Sequence, residues 1–308
     1  MTLPYDDPFI RLRPRLMAIA YRMLSSVQEA EDLVQDVWLR WHAEMAQART
    51  VVLNPEAWLV TVTSRMAIDR LRAAKRQREA YPGLWFPEPL PDEGPATPEQ
   101  LREQADDVSI AFLLLLDCLT PEARAAFLLR EVFEADYDQV AAAIGKSESA
   151  SRQIVHRARQ RLDAARDAQG RASTPLPAEA QQRLLQRLVA AIMQGDFGAI
   201  QALLAEEAAF MGDFGGIPPS LASPLAGARR IAQLYFTFHR RHGAAMRLEL
   251  ARLNGEWALL RLLDGALDSV QFFEFDGERI LRVRVQRNPA KLAALGRHLG
   301  AARPLASH

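Results

Sequence analysis

The sequence predicts a multidomain chain in which two all-α blocks are followed by an α+β domain. Three observations predict it. Apolar residues recur at helical spacing through residues 8–78 and again through 105–166. Between them, residues 79–100 hold six of the chain's 18 prolines with Glu88, Asp92, Glu93 and Glu99 interspersed, a composition that breaks helices and extends the chain. After a second break at residues 170–177 the pattern changes to alternating, β-rich runs parted by Asn254-Gly255, Asp264-Gly265 and Asp276-Gly277 turns. The expected units are residues 1–78, a proline-rich linker 79–104, residues 105–168, and residues 177–308.

Composition bounds the function. The chain has 308 residues, 49% hydrophobic and 25% charged, with a net charge of zero. A neutral total leaves room for a polyanionic partner, because phosphate is bound by a local patch. Such patches exist: residues 65–78 carry six Arg/Lys against Asp69, and residues 152–166 carry five Arg against Asp163. Cys118 is the single cysteine, so a disulfide framework is excluded; its apolar surroundings predict plain core packing. The acidic, proline-bearing N-terminus does not read as a signal peptide, and the most apolar run, 110–116, is too short to span a bilayer. The expected location is cytoplasmic.

Taking the elements in order, a helix over residues 27–41 has Ala30, Leu33, Val34, Val37, Trp38 and Trp41 on its expected buried stripe. Glu31, Asp32, Gln35 and Asp36 fill the other face, which must look at water or at a basic protein. The next helix starts at Asn54-Pro55, a capping residue followed by proline at the first helical position. Val60, Thr63, Ala67, Leu71 and Ala74 form its inner stripe; Trp58, Val62, Arg65, Asp69, Arg72 and Arg76 form its outer one. Arginines suit phosphates and base edges, and an exposed aromatic can stack on an unpaired base. A solvated basic face with Trp58 tucked against a neighbouring helix is the competing account.

The second block has helix-turn-helix spacing. Thr120-Pro121 opens one helix, Asp136 or Asp138 a short second one, Gly145 sits at the turn, and Ser147 caps the third. In that third helix Ala150, Ile154, Val155, Ala158 and Leu162 face inward. Ser149, Arg152, Gln153, His156 and Gln160 face outward, flanked by Arg157, Arg159 and Arg161. Arg and Gln are the side chains that read guanine and adenine edges in the major groove.

In the last domain a helix over 177–194 precedes the strands, in the order helix, helix, strand, helix and four-strand meander. Asp213, Asp264, Asp268, His239 and His242 are acid–base candidates, but no spacing singles one out, so no catalytic residue, metal ligand or cofactor is assigned.

These motifs carry a family resemblance. Residues 31–37 (Glu-Asp-Leu-Val-Gln-Asp-Val) resemble the core-binding helix of region 2 in extracytoplasmic-function (ECF) sigma factors, residues 57–72 their −10-reading helix, and residues 147–159 their region 4 recognition helix. The resemblance covers roughly the first 167 residues and implies two all-α sigma domains. It implies that Asp32, Gln35 and Asp36 dock on the β′ clamp of core RNA polymerase. It further implies that Trp58, Arg65, Asp69, Arg72 and Arg76 meet the −10 element, and that Ser149, Arg152, Gln153, His156, Arg157 and Arg159 meet the −35 element. Trp85-Phe86-Pro87-Glu88-Pro89 is similar to the linker signature of ECF sigma factors fused to a SnoaL-like, NTF2-like cone domain. Asp213-Phe214-Gly215-Gly216-Ile217 stands where that subgroup shows Asp-Gly-Gly-Gly-Lys, and Asn288-Pro289-Ala290-Lys291-Leu292 where it shows Asn-Pro-Asp-Lys-Leu. By resemblance, these three segments form a regulatory contact between the C-terminal domain and the sigma regions. The departures at Phe214 and Ile217 predict a more apolar contact.

The function expected is therefore an RNA polymerase sigma factor modulated by its own C-terminal domain, without chemistry of its own. A one-component DNA-binding regulator with a ligand-sensing NTF2-like domain is the alternative, against which the acidic helix and the two separate DNA-facing stripes argue. An enzyme of NTF2-like fold with a DNA-binding appendage is a third. A small ligand in the C-terminal cavity is a further expected partner.

Overall fold

The structure, a computed structural model, describes residues 7–46, 52–79, 81, 83–92, 108–168, 176–216 and 223–302. The chain divides into two units, Met1–Ala80 with Ala111–Gln169, and Tyr81–Ile110 with Gly170–His308. The proline-rich segment thus belongs with the C-terminal domain.

The first unit is helical. Helices α1 (Pro8–Leu24), α2 (Val27–Ala46) and α3 (Pro55–Glu79) are followed by α4 (Ile110–Leu116), α5 (Pro121–Phe127), α6 (Tyr137–Ile144) and α7 (Glu148–Ala168). Their starts are written locally. Asp7 accepts the Phe9 amide at 2.9 Å, Asn54 that of Ala57 at 3.0 Å, Thr120 that of Ala123 at 3.3 Å, and Ser147 that of Ala150 at 3.3 Å. A single π turn, Leu128–Val132, extends α5, and Gly145 supplies the left-handed residue (φ 67°) that turns the chain from α6 into α7. Leu16, Ile19, Leu33, Val37, Leu59 and Ala67 make the α1–α2–α3 core.

Two burial expectations are corrected. Trp38 is 39% exposed rather than buried, its ring lying 4.4 Å from that of His42; the narrow stripe of Ala30, Leu33, Val34, Val37 and Trp41 already fills the interface. Cys118 is exposed, because α4 ends two residues before it. The packed groups around it still remove part of the water from the thiol and push its pKa upward, Asp117 adding to that and Arg161 and Arg124 opposing it.

The second unit has α8 (Ala178–Gln194), α9 (Phe197–Ala202), β1 (Leu204–Asp213), β2 (Leu225–Ala226), α10 (Ala228–His242), β3 (Met246–Leu253), β4 (Glu256–Leu263), β5 (Ala266–Asp276), β6 (Arg279–Gln286) and α11 (Pro289–Ala302). This is the expected order, with β2 as a short addition. The sheet runs β2-β1-β6-β5-β4-β3, antiparallel except for β1 beside β6. Asn254-Gly255 and Asp264-Gly265 both take positive φ at each residue, as two-residue hairpin turns require. One sheet face, with Phe210, Phe273, Val283 and Val285, packs on Leu184, Leu188, Ile231 and Tyr235 of α8 and α10. Strand alternation puts Leu260, Val270, Phe272, Arg284 and Gln286 on the other face, and they too are buried. A sheet buried on both sides needs a second cover, and the carbonyls of Phe86 and Pro87 accept from Gln286 on that face.

Candidate functional site

Three sets of residues were expected to act, and the fold treats each differently. On α2, Asp32 and Gln35 are exposed, whereas Asp36 is tied at 2.5 Å to Arg70 of α3, which also bonds the Glu29 carbonyl at 2.7 Å. One of the three is thus shared with the packing of α2 on α3.

On the outer stripe of α3, Arg65, Asp69 and Arg72 are exposed, and the two arginines reach neighbouring helices. Trp58 is half-buried with its ring 5.5 Å from Trp41. Arg65 donates to the Ala142 carbonyl of α6 at 2.7 Å, and Arg72 to Glu122 of α5 (Nε to Oε1 3.0 Å) and to Asp69 at 3.0 Å. The Arg72 guanidinium is raised above its ordinary pKa, chiefly by the hydrogen bond and charge of Glu122. Burial pushes the Glu122 carboxyl up, yet the bonds from Arg72 and from its own backbone outweigh this and leave it below the ordinary carboxylate value. Arg76 lies on α3, and its side chain is outside the described residues.

A tie that sequence pattern did not single out reinforces this packing. Arg124 of α5 is 2% exposed; it donates to the Arg22 carbonyl at 3.1 Å, to Ser25 Oγ at 2.8 Å and to Asp117 at 2.8 Å. Ser25 is the left-handed residue (φ 58°) that ends α1, so a buried cation of the second helical block sits at the C-terminal end of α1, where helix carbonyls favour positive charge. Arg15 of α1 adds bonds to Glu56 at 2.8 Å and to the Phe133 carbonyl at 3.1 Å. An arginine amid the alanines of residues 121–127 was the available signal.

The outer face of α7 is exposed too, but its contacts are local. Ser149, Arg152, Gln153, His156, Arg157 and Arg159 are all exposed, while Ser151, Val155, Ala158 and Leu162 are buried. Arg152 lies over the Tyr137 ring at 4.1 Å and 3.4 Å from Glu148 one turn back. Arg159 pairs with Glu131 of the π turn at 2.5 Å, and His156 with Gln160 at 3.1 Å. These contacts orient the side chains along an exposed helix face, the arrangement that enters a major groove.

In the second unit the three remaining segments come together on Asp213. Parallel pairing places Asp213 beside Gln286 at the ends of β1 and β6, so the loop after β1 and the tail after β6 leave the sheet side by side. The Asp213 carboxylate is fully buried and accepts from the Tyr81 hydroxyl at 2.5 Å, the Phe86 amide at 3.0 Å, the Gly215 amide at 3.0 Å and Lys291 Nζ at 2.6 Å. Lys291 also donates to the Phe86 carbonyl at 2.7 Å, and its ammonium lies 4.1 Å from the Trp85 ring centroid. Asn288 caps α11 through the Ala290 amide at 3.0 Å and donates to Tyr81 at 2.7 Å. Gly215 is required twice over: its φ is +61°, and a Cβ there would meet Asn288 at 2.8 Å. Burial, then the bond and charge of Asp213, push the Tyr81 hydroxyl well above the ordinary tyrosine pKa. Pro87 and Pro89 are buried, Glu88 is half-buried, Gly216 is exposed, and Pro289 opens α11. Ile217 lies outside the described residues. Tyr81 and Gln286 were missed by the sequence reading; a lone tyrosine and a strand-end glutamine carry no local pattern.

The acid–base candidates find other uses. Asp268 sits between Arg261 (2.8 Å) and Arg287 (3.1 Å), which suits an ion-pair brace rather than a proton acceptor. A cavity of about 180 Å³ beside it is lined by Phe214, Leu267, Asp268, Arg287, Pro289 and Leu292. The His242 ring lies 4.7 Å from that of Phe238, and Asp264 takes the hairpin turn. Among the described residues no cluster of His, Cys, Asp and Glu could hold a metal ion, and no helix is long and apolar enough to cross a membrane.

Two bodies of helices with a basic outer stripe each, one of them a helix-turn-helix, define a class, and the family comparisons agree. Sigma-70 region 2 matches residues 9–77, and Sigma-70 region 4 matches residues 109–162. The ECF RNA polymerase sigma factor SigJ of Mycobacterium tuberculosis is 36% identical over 251 residues, covering 80% of this chain and 78% of its own. The probable ECF RNA polymerase sigma factor SigI of the same species is 29% identical over 297 residues, 94% of each chain. The crystal structure of M. tuberculosis SigJ matches 92% of this chain and 97% of its own, with a TM-score of 0.69 at 29% identity. The chain belongs to the ECF RNA polymerase sigma factors. It is a sigma factor that binds core RNA polymerase and promoter DNA, with an α+β domain following the two helical regions.

Proposed function

We propose that the described arrangement is a held state of this sigma factor, in which region 4 engages arginines of the promoter-facing stripe of region 2. The observation that carries this reading is the pairing of Arg65 and Arg72 with α6 and α5. Both guanidinium groups stay exposed, but the donors engaged with Ala142 and Glu122 are withdrawn from a phosphate or a base, and α5 and α6 stand beside the stripe where DNA would approach. Opening α3 away from α5 and α6 frees Arg65 and Arg72 from Ala142 and Glu122, so that Trp58, Arg65, Asp69, Arg72 and Arg76 meet the −10 element, while α7 reads the −35 element through Arg152 and Gln153. Asp32, Gln35 and Asp36 dock on the β′ clamp, with Asp36 exchanging Arg70 for a basic partner.

The C-terminal domain modulates this opening through its hold on the linker at Asp213, Lys291 and Asn288. In this reading the chain works in the cytoplasm beside the polymerase and performs no catalysis. The 180 Å³ cavity lies under the usual size of a small-molecule site, so a ligand there would be small and would act by displacing Phe214 or Leu292.

The test is run-off transcription by core polymerase from a promoter selected with this protein. Glu122→Arg removes the partner of Arg72 and sets like charges against each other. It should raise promoter-specific transcript severalfold at equal protein concentration. An unchanged yield would remove the held-state reading.

A further inference from the structure

The linker is gripped a second time, far along the sheet from Asp213. The site is the Asn254-Gly255 turn between β3 and β4. The Asn254 side chain is 1% exposed. Its Oδ1 accepts the Leu90 amide at 2.8 Å and its Nδ2 donates to the Val108 carbonyl at 2.9 Å. The Asn254 amide donates to the Leu90 carbonyl at 2.8 Å, and the Gly255 amide to Asp92 at 2.8 Å. Pro91 bridges Leu253, so residues 90–92 cap the edge strand β3. Arg252 lies 3.5 Å from Asp92, and its guanidinium lies 5.6 Å from the Trp257 ring centroid.

One carboxamide therefore holds two points of the chain that are far apart in sequence. The two ends of an amide side chain are only about 2 Å apart, so Leu90 and Val108 are drawn to the same spot. Leu90 and Val108 thus meet at one asparagine. Val108 is two residues before α4, the first helix of region 4. With the neck shut, the distance from Leu90 to Val108 is fixed by one side chain. With it open, 18 extended residues add up to about 60 Å.

We propose that Asn254 is the neck of a tether-length switch: a second clamp, independent of the Asp213 junction, that sets how far region 4 can move from region 2. This rests on the held-state reading for its effect on transcription but not for the clamp itself. A two-element promoter needs the two regions apart, so release of the neck is the step that supplies reach. The energetics suit a switch. The clamp consists of a few hydrogen bonds, each with a modest net contribution, and it works against the closure entropy of the loop it shuts. Asn is also well matched to its place, because its φ of 54° is one that Asn tolerates better than most residues.

The experiment uses the full chain. Asn254→Gly keeps the left-handed turn and deletes both side-chain bonds; Asp213→Asn perturbs the other junction. Hydrogen exchange at single amides reads each grip separately: the Leu90 amide reports the neck and the Phe86 amide reports Asp213. Asn254→Gly should speed Leu90 exchange at least about tenfold and leave Phe86 unchanged, and Asp213→Asn should do the reverse. Unchanged Leu90 exchange in Asn254→Gly, or both amides loosening together in either variant, overturns the independent clamp. Promoter-specific transcription measured in parallel should rise at least about threefold in Asn254→Gly, on the same tethering argument. If Glu122→Arg raises transcription while Asn254→Gly frees Leu90 without any change in transcript, the tether-length role fails and the held-state reading stands. If neither variant alters transcript, both fail.

Discussion

Helices α3 and α7 look alike in the sequence, and the fold uses them differently. Each has a proper cap, a clean apolar stripe and a row of arginines opposite. On α3 the arginines, exposed at Arg65 and Arg72, tie to distant groups: Arg65 to a carbonyl 77 residues away, Arg72 to a carboxylate 50 residues away, and half-buried Arg70 to the acidic helix α2. On α7 the contacts are local, Arg152 with Glu148 one turn back and Arg159 with Glu131 of the adjoining π turn, and the whole outer face is exposed. A basic stripe states a capacity for polyanions. Whether that capacity is available depends on what the tertiary structure lays over it.

The contrast can be broken at its most buried point. Arg124→Ala removes a nearly inaccessible cation and leaves the Arg22 carbonyl and Ser25 without that donor. The expected cost to the first unit is about 3 kcal/mol, in the range for a buried charged partner. Chemical denaturation should show it, together with faster amide exchange where α5 meets α1. A loss below about 1 kcal/mol would mean that Arg124 does not carry the region 2–region 4 packing.

A second variant sharpens the contrast from the α7 side. Arg152→Ala should cost about 1–3 kcal/mol in discrimination between −35 sequences with no change in unfolding midpoint, because nothing buried is lost. Arg157→Ala should weaken binding to all sequences alike and lower the slope of affinity against salt by about one unit. Binding titrations over promoter variants and salt concentrations separate the two. Intact discrimination in Arg152→Ala would show that α7 is not the reader.

The smallest effect concerns pH. The Glu122 carboxyl is held below its ordinary value in the folded protein, so its pairing with Arg72 stabilises at pH above the unfolded carboxylate pKa of about 4.3 and is lost as pH falls through the lower folded value. The unfolding midpoint of the full chain should therefore drop on acidification in this window, and Glu122→Gln should make the drop shallower. The drop should keep its size in Arg152→Ala, since the exposed pairing of Arg152 with Glu148 contributes little. An equal flattening by both variants would erase the distinction between the stripes.

Much of this architecture is legible residue by residue. Asn54-Pro55, Thr120-Pro121 and Ser147 mark helix starts, Gly145 marks the turn, and Asn254-Gly255 and Asp264-Gly265 mark hairpins, because each depends on chemistry within a few positions of itself. The motif at Asp213 could be named from the sequence, but its hub could not. Tyr81 and Gln286 reach Asp213 only because the linker lies on the sheet and β1 runs parallel to β6. Trp38 and Cys118 were misplaced for the same reason: an apolar neighbourhood in sequence does not say how wide the interface is or where the chain leaves it.

What the sequence by itself determined, then, is the element order, the caps and turns, and the two basic stripes with the acidic face that precedes them. These arise from short-range sterics, periodicity and local hydrogen bonding, which are complete within one element. The tertiary structure alone decided that Arg65 and Arg72 are occupied, that Arg124 is buried, that Asp213 gathers the linker and the tail, and that Asn254 holds Leu90 and Val108 together. Those outcomes turn on burial and on partners tens to hundreds of residues apart. The strength of a hydrogen bond or ion pair is set by the water removed around it, and only the packed chain removes it.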